Sequence, residues 1–447
     1  MFDSIAKLAS IISSNKAIKL YAKLLSENDN SKNQVYLGGG FSSLNLLPHS
    51  EIKTDSTDMA GSVRDRAKAD VRFFWLDEEG LHPAPNAQLI LYPKYPEVRM
   101  SGFLMGCSKA PSELMRQRLE GRVLFFGVTA NETIIGYVSA PEAAITREFL
   151  SRDFDKTGVF SDLTPVLENE KDEKQSLLSK LKEIYEAGWV HSQKLTVSGL
   201  SEPYNAPNGG GYTLEALLGV IPNGFAAPDY MGWEVKQFSV NNFEKNTAKT
   251  PVTVFTPEPT EGVYTTLGVE EFIRRYGYPD LNGKEGRLNF GGIYKCGTAH
   301  HHRTQLTLSI EGYDALKQKI TDMNGRVTLL HRNGELAAAW PFSKLMHHWK
   351  TKHSKAAYVP SIKRTSPIEY RYGACVSLYQ GTDFLLFLRG LSLGDIYLDP
   401  ALKLEIDKVG KSKIKRRNQF RINHKSLPQL YEKSELINLG NKLRRLS

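Results

Sequence analysis

Cysteine is nearly missing from this sequence: Cys107, Cys296 and Cys375 are the only three in 447 residues, far apart and odd in number. That excludes a disulfide framework, and with no CxxC pair it excludes a thiolate zinc site as well. Long apolar runs are missing too, since nothing approaches the ~20 residues of a membrane-spanning helix. The strongest short run, "FLLFL" at 384–388, reads as a buried strand. A phosphate loop is absent, because no Lys-Ser/Thr pair follows Gly38, Gly39 and Gly40, and the triplet reads as a loop. The first residues carry Asp3 and Lys7 and lack the apolar core of a signal peptide, so the protein is expected in the cytoplasm.

What is present is an ordinary globular composition, 40% apolar and 24% charged, in a chain long enough for two or three domains. "SDLTPVLENEKDEKQS" is polar, acidic and contains Pro165, which places a boundary near residue 166 and divides the chain into 1–165 and 166–447. Directly after it, Leu177, Leu178, Leu181, Ile184 and Tyr185 fall at helical spacing. Upstream, "NQVYLGGG", "DVRFFWLD", "AQLILYP", "GRVLFFGVT" and "TIIGYVSAP" are short β-prone runs, so a mostly β N-terminal domain is expected. Its helices are confined to "PSELMRQRLEG" and to the first 27 residues or so, where "NKAIKLYAKLLSEN" reads as amphipathic helix. Arg64, Arg66, Lys68 and Arg72 lie beside aromatics, a pattern open to nucleic-acid contact or to a solvated strand or helix.

Charge is unevenly spread. Residues 401–447 hold 13 Lys and Arg against 4 Asp and Glu, a surplus equal to the +9 of the whole chain. In "KVGKSKIKRRNQFRINHK", the cations Lys411, Lys413, Lys415, Arg416, Arg417 and Arg421 alternate with Ile414, Phe420 and Ile422. Such a segment packs one face and offers cations on the other, suiting a phosphate backbone; a solvated basic tail is the plain alternative.

The chemistry concentrates in "GGGYTLEALLGVIPNGFAAPDYMGWEVK", residues 209–236. Gly209, Gly210 and Gly211 read as a flexible approach, Thr213 as a helix N-cap, and "LEALLG" as a helix ending at Gly219, with Glu215 in its first turn. The later part is β-prone, so Glu234 and Lys236 share one face of a strand and Val235 takes the other. Asp229 lies one short loop earlier, with Gly232 available to bend the backbone. Two carboxylates and a lysine suit a hard divalent cation such as Mg²⁺, whose bound water attacks a phosphodiester while the ammonium steadies the developing charge. An edge strand with solvated charges is the competing reading.

Three adjacent histidines stand in "KCGTAHHHRTQL". On a strand only His300 and His302 would aim together, and no cysteine or carboxylate at zinc spacing accompanies them, so zinc is not expected. His301, His302 and Arg303 offer donors for guanine edges or phosphate oxygens, and exposed histidines in a turn are the alternative. Lys350, Lys352, Lys355, Lys363 and Arg364 surround Trp349 and Tyr358, which reads as a phosphate-facing surface or as a solvated helix face.

The opening motif, with its "TLE" helix, Pro228-Asp229 and Glu234-Val235-Lys236, resembles the core of the MvaI/BcnI type of restriction endonuclease. That type is related to the mismatch-repair nicking enzyme MutH within the PD-(D/E)xK nuclease superfamily. The resemblance continues through "HHHRTQLTLSIEGYD", "KHSKAAYV" and "KRRNQFRI", over residues 175 to about 430. It implies Asp229 and Glu234 as ligands of Mg²⁺, with the Val235 carbonyl a third. Lys236 would position or deprotonate the attacking water, and Glu215 would support the lysine or the metal-bound water. It further implies DNA contacts from His301, His302, Arg303, Lys352, Lys355, Arg416, Arg417 and Arg421. The fold implied is α/β, a PD-(D/E)xK mixed-sheet core at residues 166–447 behind the mostly β domain. "IKLYAKLLSENDNSKNQVYLGGG" is loosely similar to the start of the B3-like effector barrel of EcoRII-type enzymes, which implies an added DNA-reading domain able to take a second DNA copy. The implied protein is a monomer acting on double-stranded DNA, away from membranes. A strand-nicking repair endonuclease and a non-catalytic DNA-binding protein on the same scaffold are the other two readings.

Overall fold

A computed structural model describes residues 2–27, 29, 34–54, 66–92, 95–167, 173–221, 230–353, 355–406 and 410–440, apart from the side chains of 347 and 350–352. The chain is mixed α/β with many separate sheets. It divides into two compact units, Met1–Asp172 with Lys319–Met323, and Glu173–Gln318 with Asn324–Ser447. No helix among the described residues is long and apolar enough to cross a membrane.

The first unit is built on a seven-stranded and a five-stranded sheet. In the larger one, Val123–Thr129 and Thr133–Ser139 are buried at every position and pair antiparallel, Ile135 opposite Gly127. The helix Ile5–Ser14 starts at Ser4, whose hydroxyl accepts the Lys7 N–H, and covers this sheet with Ile5, Leu8, Ala9 and Ile12. The amphipathic helix expected through "NKAIKLYAKLLSEN" ends there. Ala17–Leu24 is a strand, pairing antiparallel with Val123–Thr129, Tyr21 opposite Phe126. Its residues alternate well enough for either period, and the fully apolar neighbouring strand decides the outcome. A further helix that the sequence reading omitted, Ala144–Ser151, packs Ile145 and Phe149 into the same core. Of the basic cluster, Arg64 lies outside the described residues, and Lys68 and Arg72 stand on strands.

In the second unit the expected helix is Glu173–Glu186, burying Leu177, Leu178, Leu181 and Ile184. The central sheet runs Trp189–His191, Ile368–Tyr372, Lys355–Thr365, Cys375–Gln380, Lys433–Asn438, with Glu234–Ser239 joined parallel to Lys355–Thr365. Its core gathers Leu178, Leu181, Leu214, Val235, Ala357, Tyr370 and Leu378. A three-stranded sheet, Val252–Phe255, Phe420–Ile422 and Ile396–Leu398, brings in the basic C-terminal segment. "FLLFL" is helical, not a strand: Asp383 accepts the Leu385 N–H at 2.7 Å and starts Phe384–Ser392, which buries Phe384, Phe387, Leu388 and Leu391 along one stripe.

Candidate active site

The helix that carries Glu215 spans Gly209–Leu218 and stops at Gly219, whose φ of 78° is the left-handed conformation of a C-terminal cap. Its start is four residues earlier than Thr213, the expected cap. Thr213 lies inside the helix, and its hydroxyl receives the Gln193 N–H at 3.0 Å, tying the helix to the Gln193–Leu195 strand. Glu215 therefore sits beyond the first turn. The glycines are no flexible approach either. A Cβ on Gly209 would stand 2.8 Å from Ser192 Oγ, and one on Gly210 2.9 Å from Gln237 Oε1, so both permit the helix to lie tight on its neighbours.

Before the Glu234–Ser239 strand the backbone reverses at Met231 (φ 42°) and Gly232 (φ 76°), with Tyr230 and Trp233 exchanging backbone hydrogen bonds of 3.0 and 2.8 Å. Two successive positive φ values are the pattern of a type I′ turn. Asp229, one residue earlier, lies outside the described residues. Glu234–Ser239 then alternates as the strand period requires. Val235 points into the core, while Glu234 and Lys236 face the other way and meet, Lys236 Nζ donating to Glu234 Oε1 at 3.0 Å.

Glu215, Glu234, Val235 and Lys236 border one cavity of about 550 Å³. Arg421 borders it too, arriving from the Phe420–Ile422 strand, so one member of the basic C-terminal segment joins the carboxylates and the lysine. Its guanidinium is braced on both sides: Nη1 donates to Asp399 Oδ2 at 2.7 Å and Nη2 to the Pro251 carbonyl. Gln237 and Thr253, not singled out from the sequence, also line the cavity, as does Tyr358, which was read beside the cations of a phosphate-facing surface. Gln237 Nε2 donates to Ser361 Oγ at 2.7 Å. Only the register of the parallel ladder, Lys236 opposite Tyr358 and Gln237 opposite Val359, reveals that "AAYV" is the neighbour of the Glu234–Ser239 strand.

The remaining expected DNA contacts lie outside the cavity lining. Arg416 and Arg417 are exposed in the connection between Ser412–Lys415 and Phe420–Ile422. Lys355 donates to Glu173 Oε2 at 2.9 Å, and the side chain of Lys352 is outside the described residues. Residues 301–304 form a turn, not the strand assumed for the histidines, and the strand begins at Leu306. There His301 packs on Tyr294 and beside His302, ring centroids 5.1 and 4.8 Å apart. Burial, then the charges of His302 and Arg303, hold its pKa below the usual imidazole value. His302 and Arg303 are exposed, the latter above the Tyr278 ring. Trp349 and Tyr358, read as aromatics of a phosphate-facing surface, are buried in the interior.

Compared with known proteins, residues 178–431 match the MvaI/BcnI restriction endonuclease family. Among solved structures, restriction endonuclease MvaI in complex with cognate DNA substrate is 18% identical with a TM-score of 0.45, covering 60% of this chain and 99% of that one. MvaI in the absence of DNA is 16% identical with a TM-score of 0.34, over the same shares. No curated protein matches.

Proposed function

The chain belongs to the MvaI/BcnI restriction endonuclease family, which makes it a DNA-cleaving enzyme, a type II site-specific deoxyribonuclease; from that premise we propose that it hydrolyses phosphodiester bonds of double-stranded DNA with Mg²⁺ at the cavity around Glu234. The observation that carries this reading is the meeting of Glu215, Glu234, Lys236 and Arg421 on one cavity large enough for a phosphodiester group.

The donor set fits a hard divalent cation. The described cavity lining offers the carboxylates of Glu215 and Glu234 and contains neither cysteine nor histidine, which favours oxygen-seeking Mg²⁺ over zinc. Glu234, Asp229 and the Val235 carbonyl would hold the ion, which when bound supplies an activated water and neutralises phosphate charge. Lys236, held beside Glu234, orients the attacking water and offsets negative charge on the phosphoryl oxygens. Glu215 supports that lysine or water from its helix. Arg421, braced on both sides, presents a fixed cation to the phosphate.

Residues 1–165 are proposed to add a second DNA-reading surface, in support of which this region has its own β-rich core. A mobility shift of a labelled duplex by residues 1–165 tests that part.

The central test incubates purified protein with unmethylated plasmid in Mg²⁺ or EDTA, beside Glu234→Ala and Lys236→Ala. The expected outcome is discrete Mg²⁺-dependent fragments that both variants lose. Plasmid left intact by the wild type would sink autonomous cleavage of that DNA.

A further inference from the structure

The cavity wall holds a group for which the chemistry above has no use. Tyr358 stands on the Lys355–Thr365 strand opposite Lys236 in the parallel ladder, and it borders the same cavity as Glu215, Glu234 and Arg421. It is 0% exposed, yet its hydroxyl makes no hydrogen bond of ordinary geometry. Its side-chain hydrogen-bond neighbour is the Tyr431 hydroxyl, which itself lies 2.6 Å from His353 Nδ1. His353 Nε2 lies 3.1 Å from the Val254 carbonyl, which only accepts, so a neutral imidazole keeps its proton on Nε2 and takes that of Tyr431 at Nδ1. With the Tyr431 proton taken by His353, Tyr358 is left to donate to the Tyr431 oxygen, and its own oxygen is available to accept.

Lys236 Nζ bonds the carboxylate that the nuclease reading assigns to the cation, 3.0 Å from Glu234 Oε1. We propose that Tyr358 is a positioning residue, a second acceptor that takes over the Lys236 ammonium when Glu234 turns to a cation. The charged groups bordering this part of the cavity are Glu234 on the lysine's own strand, Glu215 from the Gly209–Leu218 helix and Arg421 from the Phe420–Ile422 strand. Tyr358 is the neutral group facing Lys236 from the adjoining strand. Burial holds its phenol up at about 12, although the Lys236 charge pulls the other way, so it stays protonated throughout the working range and accepts without competing as an anion. The purpose of this hand-over rests on the nuclease reading; its first test does not.

That test is a cycle on full-length, metal-free protein. Trace acetic anhydride is applied at fixed pH, and acetylation of Lys236 is followed by mass spectrometry in wild type, Tyr358→Phe, Glu234→Gln and the double variant. Glu234→Gln stands in for a carboxylate whose charge is engaged elsewhere. In the wild-type background, Tyr358→Phe is expected to change the rate by less than about twofold. In the Glu234→Gln background it raises the rate about tenfold, because neither acceptor then holds the amine away from the reagent. The same ratio in both backgrounds overturns the proposal. A second measurement uses Tyr358→Phe alone. It is expected to melt no lower than wild type while Mg²⁺-dependent cleavage shows a reduced kcat at unchanged KM. A lowered melting temperature with unchanged kcat assigns the hydroxyl to core packing and defeats the proposal. If wild type cuts no DNA but the labelling cycle holds, the nuclease reading falls and the hand-over stands.

Discussion

Glu234 and Lys236 are coupled before any substrate arrives, because the lysine ammonium offsets a carboxylate whose side chain is only 7% exposed. Groups that act through one contact do not contribute independently. Glu234→Ala and Lys236→Ala are each expected to slow single-turnover cleavage by roughly 10²- to 10³-fold, the scale of losing one preorganised electrostatic group. The double variant should be little worse than the poorer single one, and a multiplied loss would show separate roles. His424 illustrates a different single-residue effect. Its ring centroid lies 4.3 Å from that of Phe238 on the Glu234–Ser239 strand, its Nε2 is buried without a hydrogen-bond partner, and burial depresses its pKa. Above ~6.5 the imidazole is neutral folded or unfolded, so it adds no pH dependence there. Below that value the unfolded chain takes up the proton first, and stability falls as pH drops toward the lower folded pKa. Between pH 7.5 and 5.5 the melting temperature of His424→Phe should therefore fall less than that of wild type, as scanning calorimetry can check.

At the scale of elements, the Gly209–Leu218 helix sets where Glu215 stands, and its glycines have unequal duties. Gly210 presents its carbonyl to the Tyr372 hydroxyl at 2.8 Å and leaves a Cβ no room beside Gln237, whereas a Cβ on Gly211 meets nothing within 4 Å. Gly211→Ala should stabilise by about 1 kcal/mol through helix propensity alone, while Gly210→Ala should lower the melting temperature and slow cleavage by lifting the helix from the strand. Thermal melts of both variants decide it, and similar behaviour of the two would contradict the packing argument. The helix itself was legible in "LEALLG" with its terminal glycine, but its start was not, because Thr213 is an equally good cap and turns out to bond Gln193. The Glu234–Ser239 strand was legible in the alternation of Glu234, Val235 and Lys236, a purely local property. Its parallel neighbour was not, since nothing within "KAAYVPSIKRT" specifies what it pairs with, and that pairing is what brings in Tyr358. Ala17–Leu24 and Phe384–Ser392 were misread for opposite reasons: tertiary pairing made a strand of an apparent helix, and the Asp383 cap made a helix of an apparent strand.

For the whole molecule the governing quantity is charge, +9 in all, with a surplus of that size within residues 401–447. Four of those cations, Lys408, Lys442, Arg444 and Arg445, lie outside the described residues. The others divide by burial: Arg421 is built into the cavity wall, while Arg416 and Arg417 are exposed in the connection that precedes it. A half-buried, braced cation suits the positioning of a phosphate, whereas exposed ones add attraction through released counterions and fix no geometry. Replacing Arg416 and Arg417 together by alanine should leave the melting temperature nearly unchanged, as surface substitutions do. It should also lower the slope of log K against log salt for DNA binding by about two, close to one per lost phosphate contact. Lys180 and Lys182 provide the control, since they pair with Glu183 and Glu186 on the helix that packs beneath the Val235 side of the sheet. Their removal should not alter the slope measured by fluorescence anisotropy between low and physiological salt. If both pairs of substitutions flatten the slope equally, the attraction is a property of net charge and the C-terminal connection has no special role. If only Arg416 and Arg417 matter, the path of the DNA passes over the connection leading to Arg421, continuous with the cavity proposed to hold the phosphodiester.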